Sequence, residues 1–514
     1  MAVVHGQKSA SEPGRRGRET DAESVVPLSA GQASLHFLQL LAPDSPAYHV
    51  TGCVTVMERF DMARLRCAWE AVSARHPVLS GVITARGDVP AQRWFAAEPP
   101  LTVRETPGIG AEELRLLATR DYERAFALDS EAPARLFVYR DEGATTLQLV
   151  LHHIAGDMSS LFLVIDDLLT VYRSEGDVTS VLPAGPDTSY ARHVTAEREF
   201  LDSPRAAASR RYWEGQLAGC RFALDLPGMT APRPVADPGA PAHVRFALDP
   251  DVVSRVRELA GERRSTTAGV LLAVFNVLLH KLTGSDDIVV GFPVEGRKSS
   301  FKRTVGHFTN SVLIRTPVTG EATFGTVLDA TRAAHLDAVR HRALPTPEVL
   351  GRLTPGSATS GQSLYQVSFQ FETGRLADGT RAVLGDLGTV RFAGYDTHPV
   401  PVRQQVAQLP LRLQAGEVDE GVQGVLHFDP ARLDATTVAG YARLFETLVA
   451  EAVAAPGTAV ASLGSEGSTP AHWSGAGTPS AGDGTLVHRS VVGGGVVVPS
   501  GVALVDGGRC WTYA

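Results

Sequence analysis

Two histidines and a carboxylate within six residues are the first chemistry this chain offers: His152-His153-Ile154-Ala155-Gly156-Asp157, followed by Met158. An imidazole titrates near pH 6.5, so at neutral pH it can accept or release a proton. Asp157 could serve as a general base or as the counter-charge of a cation. A metal site is a third reading of the pattern. It is disfavoured because adjacent strand residues point to opposite faces, which makes His152 and His153 poor joint ligands. No metal is therefore expected. The same alternation separates the pair and favours a structural role for His152.

The elements that must position these groups can be read on either side. Thr145–Leu151 alternates apolar and polar residues and reads as a half-buried strand. Ser159–Leu169 reads as a helix with a serine or aspartate cap. A strand-to-helix corner exposes side chains on a rigid frame. The helix N-terminus at Met158-Ser159-Ser160 could aim backbone N–H groups at a developing oxyanion.

The 514 residues suffice for about two to four domains. With a net charge of −8 and no basic cluster beyond Arg15-Arg16-Gly17-Arg18 in a polar tail, a general nucleic-acid binder is not expected. Cys53, Cys67, Cys220 and Cys510 form no Cys-x-x-Cys pair, which suits reduced thiols and gives no disulfide framework or zinc site. The longest apolar stretch, Ala268–Leu279, is interrupted by Asn276 and is too short for a bilayer. No signal segment opens the chain. These features predict a cytoplasmic protein with no membrane partner.

Composition divides the chain into a disordered tail at 1–25, two α/β units at 26–220 and 221–455, a Gly/Ser/Pro-rich linker at 456–485, and a short Val/Gly-rich end at 486–514. Helices are expected over Phe60–Arg75, Ala111–Phe126, Ser189–Leu217, Thr266–Leu282 and Ala435–Val453. Strands are expected at Gly81–Thr84, Arg93–Phe95, Ala134–Tyr139, Asp287–Phe292, Ser311–Arg315 and Gly421–Phe428, among others.

Six segments together resemble condensation domains of nonribosomal peptide synthetases. Residues 152–158 match the family's His-His-x-x-x-Asp-Gly except at Met158. Around it stand, in the family's order, Leu28-Ser29-Ala30-Gly31-Gln32, Arg75-His76-Pro77-Val78-Leu79, Tyr212-Trp213-x-x-Gln216-Leu217, Val289–Arg297 with Gly296-Arg297, and Val305-Gly306-His307-Phe308-Thr309-Asn310, similar to Gly-x-Phe-x-Asn. Val502–Ala514 resembles the first strands of an adenylation domain.

The resemblance, which covers about residues 26–455, implies an α/β (α+β) fold of two chloramphenicol-acetyltransferase-like lobes in a V-shaped pseudo-dimer. It implies an acyltransferase that joins an acyl thioester on a donor carrier to the amine of an aminoacyl thioester on an acceptor carrier. Phosphopantetheine would arrive on the carriers through two tunnels meeting at the histidine, with no covalently bound cofactor. Donor and acceptor carrier proteins and a downstream adenylation domain are the implied partners.

His153 is the catalytic residue implied, as a base or as a group that positions the amine. Asp157 and Arg297 are implied to form a structural ion pair, with His152 as scaffold. Met158, Ser160 and Asn310 are assigned to the substrate tunnel. Ser160 has helix capping as its second reading, and Asn310 a structural turn. Met158 could narrow the tunnel, shape it for an unusual substrate or impair catalysis. The opening Leu28–Gln32 with Phe37-Leu38 resembles hybrid polyketide–peptide lines, whose donor is a polyketide or fatty acyl chain. Met1 with its short tail hints that the donor carrier is a separate polypeptide. A degenerate domain that only recruits partners, and an ester-forming or epimerising relative, are the alternatives.

Overall fold

The computed structural model describes residues 25–86, 89–175, 177–231, 243–353, 365–373, 389–402, 409–418, 421–464, 502–506 and 509–512. The tail at 1–24 and most of the segment 465–514 lie outside them. One compact unit ends at Gly464.

Its first half contains β1 (Val25–Pro27), α1 (Ala30–Leu41), β2 (His49–Val56), α2 (Met62–Arg75), β3 (Val82–Arg86), β4 (Val89–Arg93), β5 (Leu101–Glu105) and α3 (Ala111–Glu123). Then come β6 (Ala134–Arg140), β7 (Thr145–His152), α4 (Met158–Arg173), α5 (Val178–Val181), α6 (Ser189–Leu201) and α7 (Pro204–Gln216). The second half contains β8 (His243–Leu248), α8 (Pro250–Glu262), α9 (Thr267–Thr283), β9 (Asp287–Glu295), β10 (Thr309–Pro317), α10 (Phe324–Arg340) and α11 (Thr346–Leu353). It continues through β11 (Val367–Glu372), β12 (Val390–Phe392), β13 (Tyr395–Pro399), β14 (Leu411–Val418), β15 (Gly421–Phe428) and α12 (Ala435–Ala454).

Two six-stranded sheets organise this unit, in the orders β12-β13-β2-β7-β6-β5 and β10-β9-β11-β14-β15-β8. Mixed pairing and flanking helices make both halves α/β, as expected. The halves also interleave. β12 and β13, late in the chain, extend the first sheet through β13 against β2. Phe301, Val305 and Phe308 are buried in the hydrophobic core of the first half.

Local chemistry explains most boundaries. Ser29 and Gln32 form a reciprocal capping box at α1. Asp61 caps α2, and Pro77 follows the last turn. The helical segment at 189–217 is two helices, because Ser203 caps a new start and Pro204 sits at its first position. α9 is apolar nearly all round and is the buried core helix of the second half.

Three expectations change. β7 is buried along its whole length, not half-buried. Its polar residues face covered surfaces and are satisfied there: Gln148 donates to Ala118 O at 2.9 Å and accepts from Tyr139 at 2.6 Å, and Thr146 pairs with Thr55 at 2.7 Å. The strand expected at 93–95 ends at Arg93, and Phe95 has a left-handed φ of 59°. Residues 456–464, placed in a linker by composition, are packed. Phe324 and Gly325 donate to Thr458 O and Pro456 O, and Val460 and Leu463 are buried. In the second unit, β16 (Val502–Asp506) and β17 (Arg509–Thr512) form an antiparallel hairpin.

Among the described residues no single helix is long and apolar enough to cross a bilayer.

Candidate active site

β7 pairs with β2 so that His152 stands opposite His49. His152 is fully buried, edge-on to the rings of His49 and Phe126. Its Nδ1 accepts from the Ile154 amide at 3.1 Å, so the proton lies on Nε2, which faces Gln39 Oε1 at 3.3 Å. Burial holds this imidazole well below its ordinary pKa, with the His49 imidazole adding to the effect. The result is a neutral core histidine with both nitrogens engaged.

His153 is different. Its amide donates to Tyr48 O at 2.7 Å, which ends the strand ladder, and its ring is only half-buried. Burial lowers its pKa, partly offset by the Asp157 carboxylate. Its Nδ1 lies 3.1 Å from Nδ1 of His307. His307 is the unspecified position of the Gly-x-Phe-x-Asn pattern, and nothing in its local sequence signals the contact.

Asp157, not Ser159 or Ser160, caps α4, and its Oδ1 accepts from the Ser160 amide at 2.8 Å. The same oxygen accepts from Arg297 Nη2 at 2.8 Å and lies 2.7 Å from Ser160 Oγ. Oδ2 accepts from the Phe308 amide at 3.2 Å. Burial alone would raise the Asp157 pKa, but the Arg297 guanidinium and the Ser160 bonds outweigh it and hold the carboxyl below its usual range. A carboxylate so held is a poor base. The Arg297 and Asp157 side chains are only 3 % and 5 % exposed. Arg297 also donates to Ser160 Oγ at 3.0 Å and Thr304 O at 3.3 Å and stacks over the Phe308 ring.

Ser160 is therefore not the cap of α4. It is fully buried at the third position of α4, with its hydroxyl 2.8 Å from Gly306 O and 3.1 Å from Gly306 N. Its amide is committed to Asp157, which leaves only the amides of Met158 and Ser159 of the three proposed for an oxyanion. Met158 opens α4 half-buried and packs against the core of the first half.

Asn310 is likewise fully engaged. It donates to Arg342 O at 2.9 Å and Leu344 O at 3.0 Å, and accepts from the Thr346 amide at 3.0 Å and hydroxyl at 2.8 Å. These four bonds tie β10 to the turn before α11 and to the first residue of that helix. Asn310→Ala should cost roughly 1–3 kcal/mol of stability, measured by chemical denaturation, by stranding those groups.

Other residues brace the corner. Gln32 donates to Ile154 O at 2.8 Å, and Tyr190 donates to His307 O at 3.0 Å. Asp167 on α4 takes His76 at 2.9 Å and Arg303 at 2.6 Å. Gln32 and His76 lie in segments already singled out. Tyr190 and Arg303 carried no signal, because their partners are remote in sequence. Among the described residues no group of three or more His, Cys, Asp or Glu side chains is placed to hold a metal.

A family model described as Condensation domain matches residues 22–468. The chain belongs to the condensation-domain family. Members join donor and acceptor thioesters through an amide bond in nonribosomal peptide synthesis, as acyltransferases. This condensation domain is 29 % identical over 456 residues to phosphinothricin tripeptide synthetase PhsC of Streptomyces viridochromogenes, covering 87 % of this chain and 41 % of that protein. It is 25 % identical over 448 residues to surfactin synthase subunit 1 of Bacillus subtilis, covering 86 % of this chain and 12 % of the relative. The chain thus spans well under half of these relatives. In fold it is similar to holo-AB3403, a four-domain nonribosomal peptide synthetase, with a TM-score of 0.74 at 22 % identity over 87 % of this chain and 34 % of the other. It is also similar to the first condensation domain of the calcium-dependent antibiotic synthetase, with a TM-score of 0.68 at 19 % identity over 86 % and 99 %. The two halves accordingly have the chloramphenicol-acetyltransferase-like fold of that family.

Proposed function

We propose that this condensation domain uses His153 to form an amide between a polyketide or fatty acyl thioester on a donor carrier and an aminoacyl amine on an acceptor carrier. The observation that carries the reading is the division of labour at the corner. His152 and Asp157 are engaged by structural bonds in the core, while His153 keeps a neutral imidazole that is only half-buried.

The amine nitrogen bonds to the thioester carbonyl carbon, the carbon–sulfur bond breaks, and His153 relays the amine proton to the departing thiolate. Each substrate rides a phosphopantetheine arm, so the carriers supply the reactive groups and the domain supplies orientation, worth roughly 7–11 kcal/mol of barrier in favourable cases. Asp157, Arg297 and Ser160 brace the corner without touching substrate. A downstream adenylation domain, of which β16 and β17 would be the first strands, and a cytoplasmic setting complete the reading. The polyketide or fatty acyl preference rests on Leu28–Gln32 with Phe37-Leu38.

Mass spectrometry of products from acyl-loaded and peptidyl-loaded donor carriers with a loaded acceptor tests it. Faster amide formation from the acyl-loaded donor is expected. No product above background would favour the recruiting alternative, and preference for a peptidyl donor would refute the donor class.

Met158→Gly should lower stability by about 1–2 kcal/mol, through lost half-buried surface and a weaker first turn. Its amide-forming rate should change by less than about tenfold, since Met158 packs against the core. A larger change in rate or donor choice would place the side chain against substrate.

A further inference from the structure

We propose that His307 is a positioning residue for His153: its Nδ1 accepts the His153 Nδ1 proton, which fixes the ring and its tautomer and leaves Nε2 bare for the amine proton. The inference rests on His153 handling that proton, as proposed above.

The two Nδ1 atoms are 3.1 Å apart, and the rings meet edge to face with centroids 4.8 Å apart and an interplanar angle of 83°. Two neutral imidazoles make that contact only when one donates and the other accepts. The bond made by one ring nitrogen decides which of the two carries the proton. Burial pushes His307 down to about 3, with the His153 imidazole acting in the same direction, so His307 stays neutral at working pH. Asp157 and His193 also act on His307, and Asp157 and Arg412 on His153; the His153 carbonyl accepts at both rings and the Gly156 carbonyl at His153, so His307 shares the fixing of the His153 ring with these backbone acceptors. A neutral partner orients the catalytic ring without adding a charge that would suppress its protonation.

His307 is itself held on a rigid mount. On one side the Gly306 amide donates to Ser160 Oγ at 3.1 Å, and on the other the Phe308 amide donates to Asp157 Oδ2 at 3.2 Å. Between them Tyr190 donates to His307 O at 3.0 Å. Gly306 has to be glycine here, because a Cβ would lie 2.1 Å from the Tyr190 ring. The ring has a fitted wall as well: a Cβ on Gly31 would lie 2.8 Å from His307 Cδ2 and Nε2. Asp157, Ser160 and Arg297 thus clamp the segment that carries His307 against the corner that carries His153. Position 307 is the one that the Gly-x-Phe-x-Asn pattern leaves open between its glycine and phenylalanine.

The test compares the full chain with His307→Asn, His307→Leu, Gly31→Ala and His153→Ala in amide formation between loaded carriers. Melting temperatures and the ring ¹⁵N signals of His153, assigned by their loss in His153→Ala, are read alongside. His307→Leu should lower kcat by about tenfold or more with KM little changed. It should also convert His153 from one tautomer with Nδ1 protonated to a mixture. His307→Asn, whose amide oxygen can accept in place of Nδ1, should restore both readouts. Gly31→Ala should lower kcat by displacing the His307 ring.

Unchanged kcat and ¹⁵N signals in His307→Leu would overturn the proposal. So would equal losses in the Asn and Leu variants, since His307 would then only fill space. Wild-type activity in His153→Ala would instead overturn the catalytic reading on which the proposal rests.

Discussion

Asp157→Ala is expected to destabilise the fold by about 3 kcal/mol, because it takes the buried counter-charge from the Arg297 guanidinium and leaves it only the half-exposed Glu295, 3.4 Å from its Nε. The loss spreads beyond one ion pair. The same carboxylate caps α4 through Ser160 and accepts from the Phe308 amide, so its removal also strands two backbone donors. Activity should fall with stability, because the 304–308 segment is held to the corner through these atoms. Arg297→Met combined with Asp157→Ala should cost less than the sum of the single changes, since neither charge then remains unpaired. Urea unfolding of the four proteins measures this, and a wild-type unfolding curve for Asp157→Ala would indicate that the pair does not stabilise the fold.

The same geometry sets an acid limit. The Asp157 pKa in the folded protein lies below its ordinary 3.8. The pair's stabilisation is therefore fully present above the unfolded value and is lost as pH falls through the folded one. An earlier loss comes from His152 and His307, which are buried neutral and lie below their ordinary 6.5. The unfolded chain takes up protons there that the folded chain refuses, so stability begins to decline below about pH 6.5. His307→Asn should flatten that first decline.

His153→Ala is expected to lower kcat for amide formation by about 10²–10⁴-fold with little change in melting temperature, which separates it from Asp157→Ala. The residue is only half-buried, and its removal strands no buried charge. The residual rate should stay above the reaction without the domain, because holding two tethered substrates together works independently of the proton transfer. Single-turnover kinetics with loaded carriers isolates this step. The wild-type rate should fall on the acid side, with a midpoint below 6.5, because burial lowers the His153 pKa. A flat profile down to pH 5 would argue that His153 acts as a hydrogen-bond partner rather than as a base.

Much of the corner was legible in local sequence. Period-two alternation separated His152 from His153; the structure buries the first at the end of β7 and leaves the second only half-buried, one residue past it. A strand, a turn and a helix could be placed because each follows from the spacing of apolar residues and from caps within four positions. The motifs identified the family and, through it, the fold.

What local sequence could not decide is which remote groups would compete for each polar atom. Arg297 meets Asp157 across 140 residues, and His307 meets His153 across 154. Those contacts exist only because residues 301–308 enter the core of the first half while β12 and β13 join its sheet. Thr146 and Gln148 made β7 look half-exposed, yet both are buried and bonded. Ser160 and Asn310 each bond to three residues that their local sequence does not single out as partners: Asp157, Arg297 and Gly306 for the first, Arg342, Leu344 and Thr346 for the second. Local pattern determined the elements and the separation of the two histidines, because periodicity and capping act within a few residues. Tertiary structure alone decided that His307 would face His153 and that Asp157 would be saturated, because a side chain's role depends on which donors and acceptors the fold brings within about 3 Å.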